Sequence, residues 1–233
     1  MGANFEENGF ELVERVLDAG EVAGLLAAVE RLGGRRVGTG GREGAYGLRG
    51  LLGLCPEVGK VADSERLRAL VRSYLGREGR VVRALFFDKI PEANWGVPWH
   101  QDLTIAVTER IEVAGFGPWS VKNGVVHVQA PVEVLARMVA LRIHLDDCAA
   151  DNGPLRVMPG SHRLGRLGAA EIGKLRDGGG EFACVARAGD VLAMRPLLLH
   201  ASSPARRAGH RRVLHLEYGA GELPGGLRWS ESL

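Results

Sequence analysis

Apolar residues recur at helical spacing in two early stretches of the chain and at strand spacing almost everywhere after them. Val22, Leu25, Leu26, Val29 and Leu32 fall three or four apart, which puts them on one face of a helix from Glu21 to Leu32. Asp18 stands where an N-cap belongs, and Gly33-Gly34 stops the run. Ser64 to Leu75 reads as a second helix, with Leu67, Leu70, Val71 and Leu75 on one side and Gly76 at its end. Gly9 to Val13 reads as a short strand, and the Gly- and Arg-rich segment from Arg35 to Gly53 as a long loop.

From Gly79 onward the period changes to two. Val81 to Lys89 is rich in β-formers, and Pro91 to Val97 is a loop leading to His100. Strand-like runs follow at Leu103 to Thr108, Val125 to Gln129, Met138 to Asp146 and Leu155 to Met158. Others lie at Phe182 to Ala186, Val191 to Met194, Leu197 to His200 and Arg211 to Tyr218. Turns separate them at Asp151-Asn152-Gly153-Pro154, Pro159-Gly160-Ser161, Gly178-Gly179-Gly180 and Gly189-Asp190. Helices first and then about eight short strands predict a mainly β protein with flanking helices. The expected core is a jelly roll (a double-stranded β-helix) with the N-terminal helices packed outside it. One domain over residues 1–233 is expected, its helical part at about 1–78 and its β core at about 79–220.

Composition narrows the functional classes. With 30 basic and 28 acidic residues the net charge is +2, so no overall field argues for a nucleic-acid or membrane partner. The arginine pairs at 35–36, 206–207 and 211–212 are not interleaved with aromatics as a nucleic-acid platform would be. Cys55, Cys148 and Cys184 are odd in number and far apart, which suits a reducing cytoplasm better than a disulfide framework or a zinc ribbon. No secretory leader and no apolar run long enough to span a membrane is visible, so a cytoplasmic protein acting on a small molecule is expected. Nothing in the sequence reads out an oligomeric state.

The candidate chemistry lies in Pro98-Trp99-His100-Gln101-Asp102-Leu103. Residues two apart on an extended segment share a face, so His100 and Asp102 can bind one divalent metal together. His200, closing the apolar stretch that begins at Val191, is the candidate third ligand. Two imidazoles and one carboxylate leave open positions on a metal, the arrangement used by non-haem Fe(II) oxygenases. His144-Leu145-Asp146 offers a rival pair on a clean alternating strand. Strand count favours His100 and Asp102, because a jelly-roll site takes its first two ligands from an early strand and its third from a late one. Arg211 lies eleven residues beyond His200, and an antiparallel partner strand would bring its guanidinium fork back beside His200 to hold a carboxylate. A metal with open positions and such an arginine would suit 2-oxoglutarate.

These residues, with Asp151-Asn152-Gly153-Pro154-Leu155, Pro159-Gly160-Ser161-His162 and His200-Ala201-Ser202, resemble the phytanoyl-CoA dioxygenase family of Fe(II)/2-oxoglutarate-dependent oxygenases. The resemblance spans roughly Val81 to Tyr218. It implies iron on His100, Asp102 and His200, and the distal carboxylate of 2-oxoglutarate on Ser202 and Arg211. It also places Arg142, where relatives can carry an aromatic, and Leu85 in the wall of the co-substrate pocket. The activity it implies consumes O₂ and 2-oxoglutarate, releases succinate and CO₂, and hydroxylates an unidentified small molecule. Asp102 fits that outcome, since related carrier-dependent halogenases have a small residue in its place. Lys89, Trp99, Trp119 and Gln129, with Trp95, are expected around the mouth, the first four as substrate contacts. His127, His162, His210 and His215 read as structural or rim residues. Two alternatives share the scaffold: a zinc hydrolase on the same His/Asp/His set, and a non-catalytic barrel binding a small acid.

Overall fold

Among the described residues, alternation along thirteen short strands builds the protein. The computed structural model describes residues 3–32, 46–91, 94–206 and 209–231. In chain order the strands are β1 (Phe10–Val13), β2 (Tyr46–Arg49), β3 (Arg80–Lys89), β4 (Val97–His100), β5 (Thr104–Val107), β6 (Trp119–Lys122) and β7 (Val125–Gln129). They continue as β8 (Met138–His144), β9 (Leu155–Val157), β10 (Phe182–Cys184), β11 (Val191–Met194), β12 (His200–Ser202) and β13 (Arg211–Gly219). The helices are α1 (Ala3–Asn8), α2 (Ala19–Arg31), α3 (Leu51–Leu54), α4 (Pro56–Ala62), α5 (Glu65–Leu75), α6 (Val132–Leu135) and α7 (Ala169–Gly178).

Three sheets result, with orders β1-β11-β8-β13-β3-β2, β10-β9-β12-β4 and β5-β7-β6. All strand pairs are antiparallel, as expected where consecutive strands change sheets in a jelly roll. The outer face of the six-stranded sheet carries Ala84, Phe86, Leu141, Ile143, Leu214 and Leu216, buried against Val22, Leu25 and Val29 of α2 and Leu67 and Val71 of α5. Burying that apolar face is what holds the N-terminal helices outside the barrel. Asp18 caps α2 as expected: its carboxylate accepts from the Glu21 amide at 2.9 Å, and Glu21 accepts from the Asp18 amide at 2.9 Å. Gly76 ends α5 in the left-handed region at φ 66°.

The inner face of the same sheet is half polar. Arg83, Leu85, Phe87 and Lys89 of β3 stand opposite Glu217, His215, Val213 and Arg211 of β13. His215 in turn stands opposite Arg142 of β8, and Val213 opposite His144. One end of the space between the two larger sheets is filled by Ala140, Leu155, Val157, Cys184, Leu192, Met194 and Leu198.

Several elements depart from the sequence pattern. The strand expected from Leu197 to His200 begins only at His200, because Pro196 lacks the amide a ladder needs and Leu197 to Leu199 form a buried turn. Of the loop expected from Arg35 to Gly53, residues 35–45 lie outside the described residues, while Tyr46–Arg49 pairs with β3 and Leu51–Leu54 is helical. Neighbouring structure, not local propensity, decides such an edge strand. Helix α4 starts on Pro56, whose fixed φ suits a first turn. Helix α7 buries no residue fully, so it left little apolar period to read. No helix among the described residues is long and apolar enough to cross a membrane.

Candidate active site

His100 ends β4 and His200 begins β12, and the two strands pair with these residues directly opposite each other. The rings come within 4.2 Å, centre to centre. Asp102 follows in a turn fixed by its own amide, which donates to Pro196 O at 2.9 Å. Its carboxylate lies 3.7 Å from His100 Nε2 and 3.6 Å from His200 Nε2. One ligand atom from each residue falls within 4.8 Å of the others. Among the described residues this is the one His/Cys/Asp/Glu group so placed.

Both histidines are turned by their own backbone. His100 Nδ1 sits 2.9 Å from Pro98 O and His200 Nδ1 2.8 Å from Leu198 O. Each Nδ1 donates to its carbonyl, which turns each Nε2 toward Asp102. Burial lowers the pKa of His200, with Asp102 opposing. Burial works against the charge on Asp102, but His200, His215, His100 and Arg83 outweigh it and hold the carboxyl below its usual range. Neutral imidazoles and an ionised carboxylate are the protonation states a metal requires.

The segment is braced from behind. Gln101, between the two ligands, is buried and donates to Gly165 O at 2.8 Å and Leu197 O at 2.7 Å, while accepting from the Leu167 amide at 2.8 Å. Ser161 accepts from the Leu199 amide at 2.9 Å, so the Pro159-Gly160-Ser161 turn fixes the entry to His200. His162 lies instead against the N-terminal segment, its Nε2 3.2 Å from Glu6 O.

Next to the His100/Asp102/His200 cluster three cations gather, without a counter-ion among the described residues. Lys89 and Arg211 are opposite each other on β3 and β13, and both are buried. Lys89 Nζ donates to Ser202 Oγ at 3.2 Å and Ser203 O at 2.9 Å, and Arg211 donates to Gly153 O. Arg142 donates to His215 Nδ1 at 3.2 Å, with the Phe87 ring 5.9 Å below its guanidinium. The Nε atoms of Arg142 and Arg211 are buried without a partner, and among the described residues no carboxylate is ion-paired with Lys89, Arg142 or Arg211. Burial, followed by Arg211 and Arg142, lowers Lys89 to about 7. Burial, followed by Arg211, lowers Arg142 to about 10. Unpaired buried cations are costly, and an anion in this pocket would offset that cost.

Several expectations need correction. Arg211 does not return beside His200 on a partner strand: β12 pairs with β4 and β9, β13 with β3 and β8. The chain crosses between sheets after Ser202, and Arg211 reaches the site from the opposite wall, through Lys89 and Ser202. Lys89 is therefore not at the mouth; it is 2% exposed, inside the cationic pocket. Trp99 alternates with His100, so it faces the other way and packs on Met158, Leu167 and Leu199. Trp119 shares the apolar face of its sheet with Val128 and Ile105 and packs in their cluster, whereas Gln129 lies on the face with His127. Leu85 stands on the inner face, opposite His215. The rival Asp146 is taken by Arg212, which donates to it from its amide, Nε and Nη2 at 2.8, 2.9 and 2.7 Å.

Arg83, His215 and Glu217 share the inner wall with Lys89 and Arg142, and the sequence reading does not single them out as site residues. The signal was present in part. The alternations Arg83-x-Leu85-x-Phe87-x-Lys89 and Arg211-x-Val213-x-His215-x-Glu217 place those polar residues on one wall.

The family model described as phytanoyl-CoA dioxygenase (PhyH) matches residues 5–213. The ectoine dioxygenase of Bordetella bronchiseptica is 29% identical over 168 residues, covering 69% of this chain and 48% of that protein. The chain thus spans about half the length of the curated relatives it matches. Among solved structures, the non-haem α-ketoglutarate-dependent carbocyclase SnoK of nogalamycin biosynthesis superposes with a TM-score of 0.74 at 18% identity, covering 99% of this chain and 90% of that one. HygX of Streptomyces hygroscopicus, solved with nickel, 2-oxoglutarate and hygromycin B, gives a TM-score of 0.67 at 19% identity, over 92% of this chain and 84% of that one. The zinc-hydrolase alternative finds no support among these proteins.

Proposed function

The chain belongs to the phytanoyl-CoA dioxygenase family, and from that premise we propose that it is an iron(II)- and 2-oxoglutarate-dependent dioxygenase that hydroxylates a small molecule, with succinate and CO₂ as co-products. The observation that carries this reading is a pairing. A His100/Asp102/His200 cluster with both Nε2 atoms facing the carboxylate stands beside a buried pocket of unpaired cations.

In this reading His100, Asp102 and His200 hold the iron, whose donor set of two neutral imidazoles and a carboxylate suits it. Bound there, iron supplies the O₂ activation that couples oxidation of a 2-oxo acid to oxidation of a C–H bond. The chain supplies the positioning. Arg211, Lys89 and Ser202 clamp the distal carboxylate of 2-oxoglutarate, with Arg142 the cation next to them. Leu85 and Phe87, on the same wall, present apolar surface to the methylenes between its two ends. Gln101 and Ser161 hold the segments that carry the ligands, so the cluster keeps its shape. We further assign residues 1–233 to one domain, supported by β1, which pairs with β11 and ties the N-terminal part into the barrel. Free, buried cysteines support a reducing, cytoplasmic setting.

The test is anaerobic titration of the protein with Fe(II) and 2-oxoglutarate. A visible metal-to-ligand charge-transfer band is expected, together with succinate release in air, and both are expected to vanish in His100→Ala and Asp102→Ala. A barrel that merely binds small acids would show 2-oxoglutarate binding without the band; succinate release retained in both variants would refute the ligand assignment.

A further inference from the structure

We infer that His144 is a further contact for 2-oxoglutarate: its ring N–H donates to the distal carboxylate beside Arg211 and helps select a dicarboxylate over a 2-oxo acid with an apolar tail. The inference rests on the oxygenase reading and adds to it a residue that the metal cluster leaves unused.

His144 ends β8 with its side chain on the inner face. Leu141, Ile143 and Leu145 pack in the core under the helices, so Arg142 and His144 point the other way. The contact between Arg142 and His215, at 3.2 Å, shows that this is the face they share with β13. Three strands then present three rows to the interior. Lys89 stands opposite Arg211 in the first, and Phe87, Val213 and His144 form the second. Leu85, His215 and Arg142 form the third. His144 is thus the polar side chain of the middle row, between the row that clamps the distal carboxylate and the row that carries Arg142. Arg211 is its diagonal neighbour, roughly 7–8 Å away at the β-carbon, a gap that a carboxylate seated on the guanidinium can bridge.

The ring needs a partner. It is 3% exposed, and neither Nδ1 nor Nε2 has a hydrogen bond among the described residues. The carboxylates closest in sheet order are engaged elsewhere. Asp146 takes three donors from Arg212. Asp190, whose carbonyl receives the His144 amide, accepts from the Arg15 and Arg187 amides at 2.8 and 2.7 Å. Arg142 Nε and Arg211 Nε, in the rows on either side, are likewise buried and unpartnered. Four such nitrogens on three neighbouring side chains leave a polar gap in this wall. Unmade hydrogen bonds of this kind cost stability, and a carboxylate in the gap offsets that cost. Burial, followed by Arg142 and Arg211, lowers His144 to about 3, so the ring stays neutral and keeps one N–H to give.

The test compares two ligands on the whole chain loaded anaerobically with Fe(II): 2-oxoglutarate, and 2-oxopentanoate, which carries a methyl in place of the distal carboxylate. Calorimetry reads affinity, and urea unfolding reads stability. His144→Leu is expected to weaken 2-oxoglutarate by about tenfold, the loss of one hydrogen bond to a charged group, and to leave 2-oxopentanoate unchanged. His144→Gln, which keeps an N–H, is expected to lose less. The urea midpoint of His144→Leu is expected to hold or rise, because leucine leaves no polar atom unpaired. Equal weakening of both acids, with a lower midpoint, would make the ring a packing residue and overturn the inference, as would unchanged 2-oxoglutarate binding in both variants. Both acids chelate iron through the keto-acid end, so the charge-transfer band tests the oxygenase reading by itself. A band without any His144 effect sinks this inference alone. A His144-dependent preference for the dicarboxylate without a band keeps the contact and removes the oxygenase reading.

Discussion

Lys89 should make the affinity for 2-oxoglutarate fall as pH rises through neutrality. Its ammonium is 2% exposed, on Ser202 and Ser203, and is drawn down to about 7 by burial and by Arg211 and Arg142. A carboxylate arriving among these three cations reverses that depression, because it stabilises the charged form. Binding then takes up a proton wherever free Lys89 is neutral, so affinity is greatest below about pH 7 and weakens above it. If the bound ammonium regains an ordinary pKa, the weakening between about pH 6.5 and 8.5 is about 25-fold, or ~1.9 kcal/mol. Calorimetry on anaerobic Fe(II) protein, in buffers of different ionisation enthalpy, reads both the affinity and the proton taken up. Lys89→Met should bind weakly at every pH and lose the slope. A wild-type affinity that is flat over this range, or a Lys89→Met profile with the same slope, would refute the placement of Lys89 in the anion pocket.

Two further outcomes follow from the packing. Trp99→Ala should lower stability by about 2–3 kcal/mol in urea unfolding, since a half-buried ring on Met158, Leu167 and Leu199 is lost, while 2-oxoglutarate affinity of the folded protein stays unchanged; altered affinity at unchanged stability would return Trp99 to the site. Gly153→Ala should raise the 2-oxoglutarate requirement. Gly153 has φ 58°, a Cβ there would sit 2.5 Å from Ser203 O, and its own carbonyl receives Arg211; Gly180→Ala, at φ 89° with open space around it, is the control expected to leave the requirement alone.

How much was legible varied with range along the chain. Long alternating runs such as Met138 to His144 and Arg211 to Gly219 announced themselves, because a strand between a helical layer and a polar interior must alternate. Helix α2 carried its cap and its apolar stripe in the sequence. The meeting of His100, Asp102 and His200 could be read because the first two share a face by period alone and the late histidine needed only a strand count. Arg211 could not be placed from its distance to His200, because whether the chain turns back in one sheet or crosses to the other is settled by packing. Lys89 was misplaced for a related reason: a lysine at a strand end reads as solvent-facing unless its opposite number, here Arg211, is known. Trp99 and Trp119 were open to correction by the same alternation that identified His100, applied one residue over.

Because His100 and His200 are each oriented by a carbonyl only two residues back in their own chain, the ring poses depend on local backbone and not on an occupant. Stripping with a chelator and reloading should accordingly be a reversible exchange that leaves the rest of the molecule standing. A different divalent ion would inherit the same cradle, so the choice of metal falls to supply and ligand chemistry more than to any refolding of the protein around it.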